Sequence, residues 1–404
     1  MRHRPVYTLA FLLGLLAGPA LASRADAQEV PVPVSPGEEE AALGETGTPA
    51  DLPIAGLQLN ASLGGGWDSN ASFQPDGTDS ATAFGQAGLA RTWLSPKWTT
   101  VANLGGGGSL YQTSAAGHRY QLGAGLNTTG RLGTLTSLTL GASGGTEYTD
   151  FLNDPATAGL VLPITRTRRL QGQAGLTRAL GAQTQFSVGG GYGRYFFESE
   201  DLADTEGITA SAGLTRTLGS QTSFAMDYGF QANRYEQNDR SRTHTVSLGI
   251  GRTLSARTSL SISAGADRRN FEEAASRWTF SGNAAFNLQG RRTSLSLSLR
   301  RGVAPGPGIG QDRILNMVNV VFTSTLRPWA TLTLSGSHGL NQDPVDPDLS
   351  YSSDSVDLGL SLRLSQSFGL APQLRYRRRG EVGVIPAVNT FRVGLALDYA
   401  RTIR

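Results

Sequence analysis

From Ala55 onward the chain alternates apolar and polar residues with a period of two, most cleanly at 258–266 (TSLSISAGA), 293–299 (TSLSLSL) and 355–364 (SVDLGLSLRL). That period belongs to an extended strand whose two faces meet different surroundings. Between such strands a turn recurs about every 36 to 40 residues: RALGAQT at 178–184, RTLGSQT at 216–222, RTLSART at 252–258 and a weaker LQGRRT at 288–293. A tight turn between two alternating strands makes an antiparallel hairpin, so the repeating unit is a hairpin. Eight short turns fall near Ser95, Gly133, Gly181, Gly219, Ser255, Gly290, Pro328 and Ser367. Nine longer loops separate them, near 68–80, 112–118, 152–164, 199–206, 237–241, 272–276, 303–312, 341–350 and 381–388. These connections predict about eighteen strands, with sixteen as the alternative count, and an even number puts both termini on the side of the short turns.

Propellers and solenoids also repeat at this period, but each of their apolar faces needs a second protein layer. Here short and long connections alternate, one face of nearly every strand is apolar, and no sequence remains to form a covering layer. The expected fold is therefore all-β: a single transmembrane antiparallel up-and-down β-barrel over 55–404, with short periplasmic turns and longer extracellular loops in a bacterial outer membrane.

The first 54 residues read differently. Residues 1–27 have a basic start, an apolar run from Leu9 to Leu16 and small-x-small sites ending at Ala22 and Ala27, which marks a secretory signal peptide cleaved after one of them. The run is too short to span a bilayer. Residues 28–54, rich in proline and carrying Glu29, Glu38, Glu39, Glu40, Glu45 and Asp51 without a base, predict a disordered acidic periplasmic tail. The formal charge of +3 over 404 residues thus hides a clearly cationic remainder, in which the only lysine is Lys97. Its arginines are spread over many strands, with no compact patch to engage nucleic acid. With no cysteine, disulfides and thiolate chemistry are excluded.

Parity assigns roles to the charged and aromatic positions. Leu295, Leu297, Leu299, Leu332, Leu334, Val356, Leu358, Leu360 and Leu362 form the lipid face. So do Phe391, Val393, Leu395, Leu397 and Tyr399, which also provide the terminal strand signal for the barrel assembly machinery, although the chain runs on past Tyr399 to Arg404. Arg178, Arg216 and Arg252 share the lipid-facing parity beside turns, and with Trp93, Trp98 and Trp329 they are expected to anchor the barrel at the interface. The pore-lining candidates are Arg269, Arg300, Asp357, Arg363, Arg375, Arg377, Arg379, Arg392 and Asp398. An arginine stripe on the inner wall either favours anionic or hydroxylated solutes or pairs with neighbouring acids to stiffen the wall. The loops are modest, which predicts an open or loosely gated channel without a plug. His118, His244 and His338 fall at separate strand ends, so no catalytic triad is expected, and neither a cofactor nor a metal. The acidic loop 341–350 (NQDPVDPDLS) lacks the spacing of a calcium hand.

The segment 64–70 (GGGWDSN) resembles the aromatic-Asp-Ser-Asn signature of the beta-barrel porin 2 type of outer-membrane protein. The plan over about 350 residues resembles the eighteen-stranded export porins of Wzx/Wzy-dependent pathways. The resemblance implies a conduit for exopolysaccharide or capsule, working with a periplasmic polysaccharide export protein. A general diffusion porin for small hydrophilic or anionic solutes is the alternative, and an enzyme or adhesin barrel a distant one.

Overall fold

The structure is a computed structural model that describes residues 56–403 apart from 74–75, 114–116, 150–164, 201, 237–239, 272–275, 307, 309, 344–349 and 382–385. The expected leader and acidic tail lie outside the described residues. Eighteen strands follow in chain order. The first nine are β1 (Gly56–Asp68), β2 (Ser80–Leu94), β3 (Trp98–Tyr111), β4 (Arg119–Arg131), β5 (Thr136–Tyr148), β6 (Arg166–Ala179), β7 (Thr184–Phe197), β8 (Thr205–Thr217) and β9 (Thr222–Tyr235). The second nine are β10 (Arg240–Ser255), β11 (Thr258–Phe271), β12 (Arg277–Gln289), β13 (Thr293–Ala304), β14 (Arg313–Arg327), β15 (Ala330–Gln342), β16 (Tyr351–Arg363), β17 (Phe368–Arg379) and β18 (Val388–Ile403).

Each strand pairs antiparallel with its chain neighbours, and β1 pairs with both β2 and β18, which closes the sheet into an up-and-down barrel. The closing seam runs from Leu57 opposite Ile403 to Asp68 opposite Arg392. Closure leaves no edge strand in the sheet, the condition for backbone to sit in hydrocarbon.

Four of the eight short turns share one device, Leu364 N–H to Phe368 O at 2.9 Å among them. Leu180 N–H donates to Thr184 O at 2.8 Å, Leu218 N–H to Thr222 O at 2.7 Å and Leu132 N–H to Thr136 O at 2.9 Å. Gly219 supports its turn with a φ of 103°, open to glycine at little strain. In the copy at 252–258 a serine replaces that glycine. There β10 runs on to Ser255, and the register shifts between Thr253 and Ser255, a bulge that absorbs the different turn.

Alternation divides the wall into two chemistries. Leu63 is 69% exposed, Ile208 52%, Leu248 51% and Leu395 48%, and across neighbouring strands such residues sit opposite one another, as Leu63 does Leu397 and Leu248 does Met226. These side chains form an apolar outer band. The other face carries Ser, Thr, Gly, Asn, Gln, Asp and Arg. Few apolar side chains are buried; Ala304, Leu315 and Met317 form one small cluster, and Ala71 and Tyr111 another, both at the loop-side end.

Candidate functional site at the lumen mouth

The buried polar residues gather inside the loop-side end of the barrel, in three groups. The first spans the closing seam. Asp68 ends β1 on the inner face, and its Oδ2 accepts from Arg392 Nε at 2.9 Å and Nη2 at 2.6 Å, while Oδ1 accepts from Thr390 Oγ1 and from Asn70 N–H at 3.1 Å. Arg392 Nη2 also donates to the Tyr111 hydroxyl at 3.2 Å, and Arg119 Nη1 reaches the same oxygen at 3.1 Å. Arg119 Nη2 then holds Ala71 O at 2.6 Å, which draws the β1–β2 loop inward over β3 and β4. Ser69 and Asn70 finish the clamp: Ser69 Oγ accepts from Phe391 N–H at 2.8 Å, and Asn70 Nδ2 donates to Asn389 O at 3.2 Å. Trp67 projects to the outer face, 41% exposed. The segment 64–70 thus locks the last strand to the first.

The second group crosses the lumen. The loop after β13 brings Asp312 against β9, where its Oδ1 accepts from Tyr235 Oη at 2.7 Å and Asn233 Nδ2 at 2.8 Å; its carbonyl accepts from Arg269 Nη1 of β11 at 3.5 Å. The same loop meets the loop after β7, with Ala203 and Gly308 exchanging backbone hydrogen bonds of 3.3 Å. Strands β8 to β13 lie between these loops along the wall, so their contact forms a chord across the mouth. Asp312, Tyr235 and Arg269 are each about 1% exposed, which marks the chord as packed chain rather than a loop lying in solvent. Beside it, β12 and β13 stay paired only up to Gly282 opposite Arg301, and Asp267 Oδ2 accepts the Val303 amide at 3.3 Å where the ladder opens.

The third group belongs to the later strands. Arg313 Nη2 lies 3.5 Å from Asp343 Oδ2, an oxygen that also accepts from Gln311 Nε2. Arg379 Nη2 donates to Pro386 O at 2.9 Å, pinning the β17–β18 loop. Lower on the wall Arg375 Nε donates to Asp357 Oδ1, and both groups are about one-third exposed to the lumen.

All nine pore-lining candidates occupy inner-face register positions, but in different settings. Arg375, Asp357, Arg377 and Arg300 stand along the wall, with Arg300 opposite Asn283 and Met317 and Arg377 opposite Ser355 and Thr390. Arg363 is exposed near a turn, and Asp398 faces Ser62 and Gly369 there. Arg269 and Arg379, each 1% exposed, are covered by inward-folded loops and hold chain in place instead of presenting charge to the channel. Arg392 is committed to Asp68. The expectation of an unobstructed mouth is corrected here: modest loops fold inward because buried arginines and tyrosines on the wall bind their backbone and carboxylates.

Strand-end position marks Tyr111 and Tyr235 as aromatics of the loop-side membrane interface, but both are buried on the inner face; Asp312, Arg119 and Arg313 carry no signal in the sequence. They sit at strand ends, where period-two parity stops informing. Asp343 had been noted only as part of an acidic loop, and its pairing with Arg313 and Gln311 gives that acid a structural role; residues 344–349 of that loop lie outside the described residues. The expected anchors have outer-face register positions: Arg178 is opposite Phe186, Arg216 opposite Phe224 and Arg252 opposite Leu260. Trp98 lies against Gly130, where an added Cβ would collide with the indole, and Arg91 sits 5.3 Å from the Trp93 ring centroid. Trp329 is 56% exposed at its turn. Phe391, Val393, Leu395 and Leu397 are outward and exposed on β18, and Tyr399 packs 5.2 Å from Phe368. His244 contacts the Tyr228 hydroxyl at 2.9 Å and His338 contacts Asp354 at 2.7 Å, on separate outer-face sites. Among the described residues no three His, Asp or Glu side chains come together as a metal-ligating set.

These features define an eighteen-stranded barrel with an apolar exterior, a polar lumen and a mouth bridged by its own loops. No family model matches the chain, and no curated protein matches it. Among solved structures it is similar to Pseudomonas aeruginosa OpdL, at 13% identity over 86% of this chain and 99% of that one with a TM-score of 0.48. It is also similar to Pseudomonas aeruginosa OccK2 (OpdF) in complex with glucuronate, at 12% identity over 86% and 98% with a TM-score of 0.49. Acinetobacter baumannii OccAB4 gives 11% identity over 86% and 99% with a TM-score of 0.47.

Proposed function

We propose that this chain is an outer-membrane diffusion porin that passes small hydrophilic solutes, anionic ones preferentially, through a lumen narrowed at the extracellular mouth. An apolar band around a closed barrel suits hydrocarbon, and eighteen strands enclose enough space for a water-filled channel. The observation that carries the reading is the chord formed by Ala203, Gly308 and Asp312 with Tyr235 and Arg269. A mouth crossed by packed chain suits solutes of a few heavy atoms better than a continuous polymer. The export conduit is implied by the resemblance of the whole barrel plan, and the 64–70 motif adds no support to it, because Asp68, Ser69 and Asn70 have a structural account as the clamp on the closing seam.

Purified protein in a planar bilayer provides the test. Stable single channels with anion-biased reversal potentials, and unchanged surface polysaccharide in an in-frame deletion strain, are the expected results. Loss of surface polysaccharide with intact synthesis enzymes would restore the export reading and overturn this one.

A further inference from the structure

The outer wall carries a charge asymmetry that conduction does not use. On the outward parity of β6, β7, β9, β10 and β11 stand Arg168, Arg194, Arg234, Arg242 and Arg268, all in the loop-side part of their strands. A tilted spanning strand needs about nine to eleven residues to cross the hydrocarbon. Arg194 lies ten residues on from Thr184 and Arg268 ten on from Thr258, which puts them at the upper rim of the apolar band. The acids sharing this rim are Glu198, Asp204, Glu206 and Glu236, fewer than the arginines there; Glu198 lies 3.2 Å from Arg166 and 3.8 Å from Arg168. The equivalent rim on β1 to β3 presents Trp67, Ala81, Ala83 and Leu110 with no cation, and Asp79 Oδ2 accepts there from Trp67 Nε1 at 3.4 Å. On β16 and β17 Arg378 faces Asp354, so charge there is balanced. The cationic excess runs from β6 to β13, where Arg301 also faces outward and donates to Asn316.

Beside the arginines the same wall is hollowed. A recess of about 260 Å³ is lined by Leu104, Leu122, Ala124, Gly144, Thr146 and Arg168. Leucines on two strands wall it, and Gly144 with Ala124 leaves its floor low. A second recess of about 430 Å³, lined in part by Arg168, Leu170 and Phe196, adjoins it across β6. Arg168 and Arg194 are diagonal neighbours across β6 and β7, within common reach of one anion. An apolar recess with the Arg168 guanidinium in its lining and Arg194 as that residue's diagonal neighbour matches an acyl chain joined to a phosphate, because Arg engages phosphate by forked, charge-assisted bonds.

We propose that this face is a binding site for a phosphorylated lipid of the outer leaflet, its acyl chain over Gly144 and Ala124 and its phosphate at Arg168 and Arg194, with Arg234, Arg242 and Arg268 extending the anionic contact around the rim. The proposal rests on the reading of the barrel as membrane-spanning. General attraction of arginine to head groups does not account for the placement on β6 to β13 or for the recess beside it.

The test titrates full-length protein in neutral phosphatidylcholine nanodiscs with a diphosphorylated acylated diglucosamine lipid and with its dephosphorylated form, counting bound lipid by native mass spectrometry. Binding is expected to be at least about tenfold tighter for the phosphorylated form and to fall about tenfold in Arg168→Gln/Arg194→Gln. Gly144→Leu should lose binding by filling the recess; a Cβ there meets only Arg169 O at 3.4 Å and Leu170 Cδ1 at 3.5 Å, so the barrel has room to fold. The turn-side control Arg178→Gln/Arg216→Gln/Arg252→Gln should bind as the parent does. Equal binding of both lipids, or equal loss in the control, overturns the site. Conductance of the same samples separates the two readings: intact channels without phosphate dependence overturn only the lipid site, whereas protein that forms no channel overturns the porin reading beneath it.

Discussion

At the turn-side end of the barrel, four of the eight hairpins are closed by one repeated device, the amide of a leucine reaching the carbonyl of the fourth residue on, whereas at the loop-side end the described connections are held by side chains of other strands. The turn side uses local chemistry, so its geometry follows from a few adjacent residues. The loop side uses contacts between residues far apart in the chain, such as Asp312 with Tyr235 or Asp68 with Arg392. One end sets register, and the other, on the proposed porin reading, sets what the lumen admits. Perturbations at the two ends should therefore separate: turn-side changes should alter folding and leave conduction alone, and loop-side changes should do the reverse unless they touch the seam.

The largest expected effect comes from releasing the chord. Asp312→Ala removes the acceptor shared by Tyr235 and Asn233, and Tyr235→Phe removes one donor alone. With the loop no longer held across the mouth, single-channel conductance should rise by about twofold or more in Asp312→Ala and less in Tyr235→Phe, and uptake of larger neutral sugars should quicken, because conduction follows the size and lining of the narrowest section. Unchanged conductance in both variants would place the narrowest section elsewhere.

The seam is where the distinction between the ends should fail. Asp68 is buried and accepts hydrogen bonds from Arg392, Thr390 and Asn70, so Asp68→Ala leaves those donors without their acceptor at the point where the barrel closes. A loss of roughly 2–3 kcal/mol in unfolding free energy is expected, below the value for a fully buried pair since the Arg392 side chain is one-third exposed. Denaturant titration of refolded protein measures it. Asp68→Asn should recover part of the loss by keeping an acceptor. A midpoint equal to the parent's would show that the strand ladder alone closes the barrel.

A smaller effect belongs to the turn side. Gly219→Ala places a Cβ at a φ of 103°, where added atoms meet nothing within 4 Å, so backbone strain is the whole cost, about 1–2 kcal/mol. Conductance should not change. A change in conductance with no loss of stability would break the separation between the ends.

That separation also governs how far the sequence could be read. Strand number, closure and the eight turns follow from period-two alternation and the recurring turn, and the structure agrees on all three. The register shift near Ser255 was implicit in the one turn copy that lacks glycine. The mouth was not legible, because Asp312, Ala203 and Gly308 lie in loops where alternation stops and no local pattern says which distant strand will hold them. The aromatic-Asp-Ser-Asn segment stood out as a motif, yet its partners Arg392, Thr390 and Asn389 lie more than 300 residues away. Their link becomes visible only once β18 is known to close on β1.

The smallest expected effect decides between the two roles open to the inner-wall arginines. Arg375 and Asp357 pair while each remains about one-third exposed to the lumen, so water screens the pair and its contribution to stability should be under about 1 kcal/mol. Their influence on permeating ions has a sign that can be worked out. Arg375→Gln leaves Asp357 uncompensated on the wall and should shift the reversal potential in a salt gradient toward the cation, reducing anion preference by about twofold. Asp357→Asn frees the guanidinium and should move it toward the anion. Opposite shifts with unchanged unfolding midpoints mark the pair as part of the selective wall. If the midpoints fall and the reversal potential stays put, the arginine stripe stiffens the barrel, and preference for anions must come from the charge around the mouth.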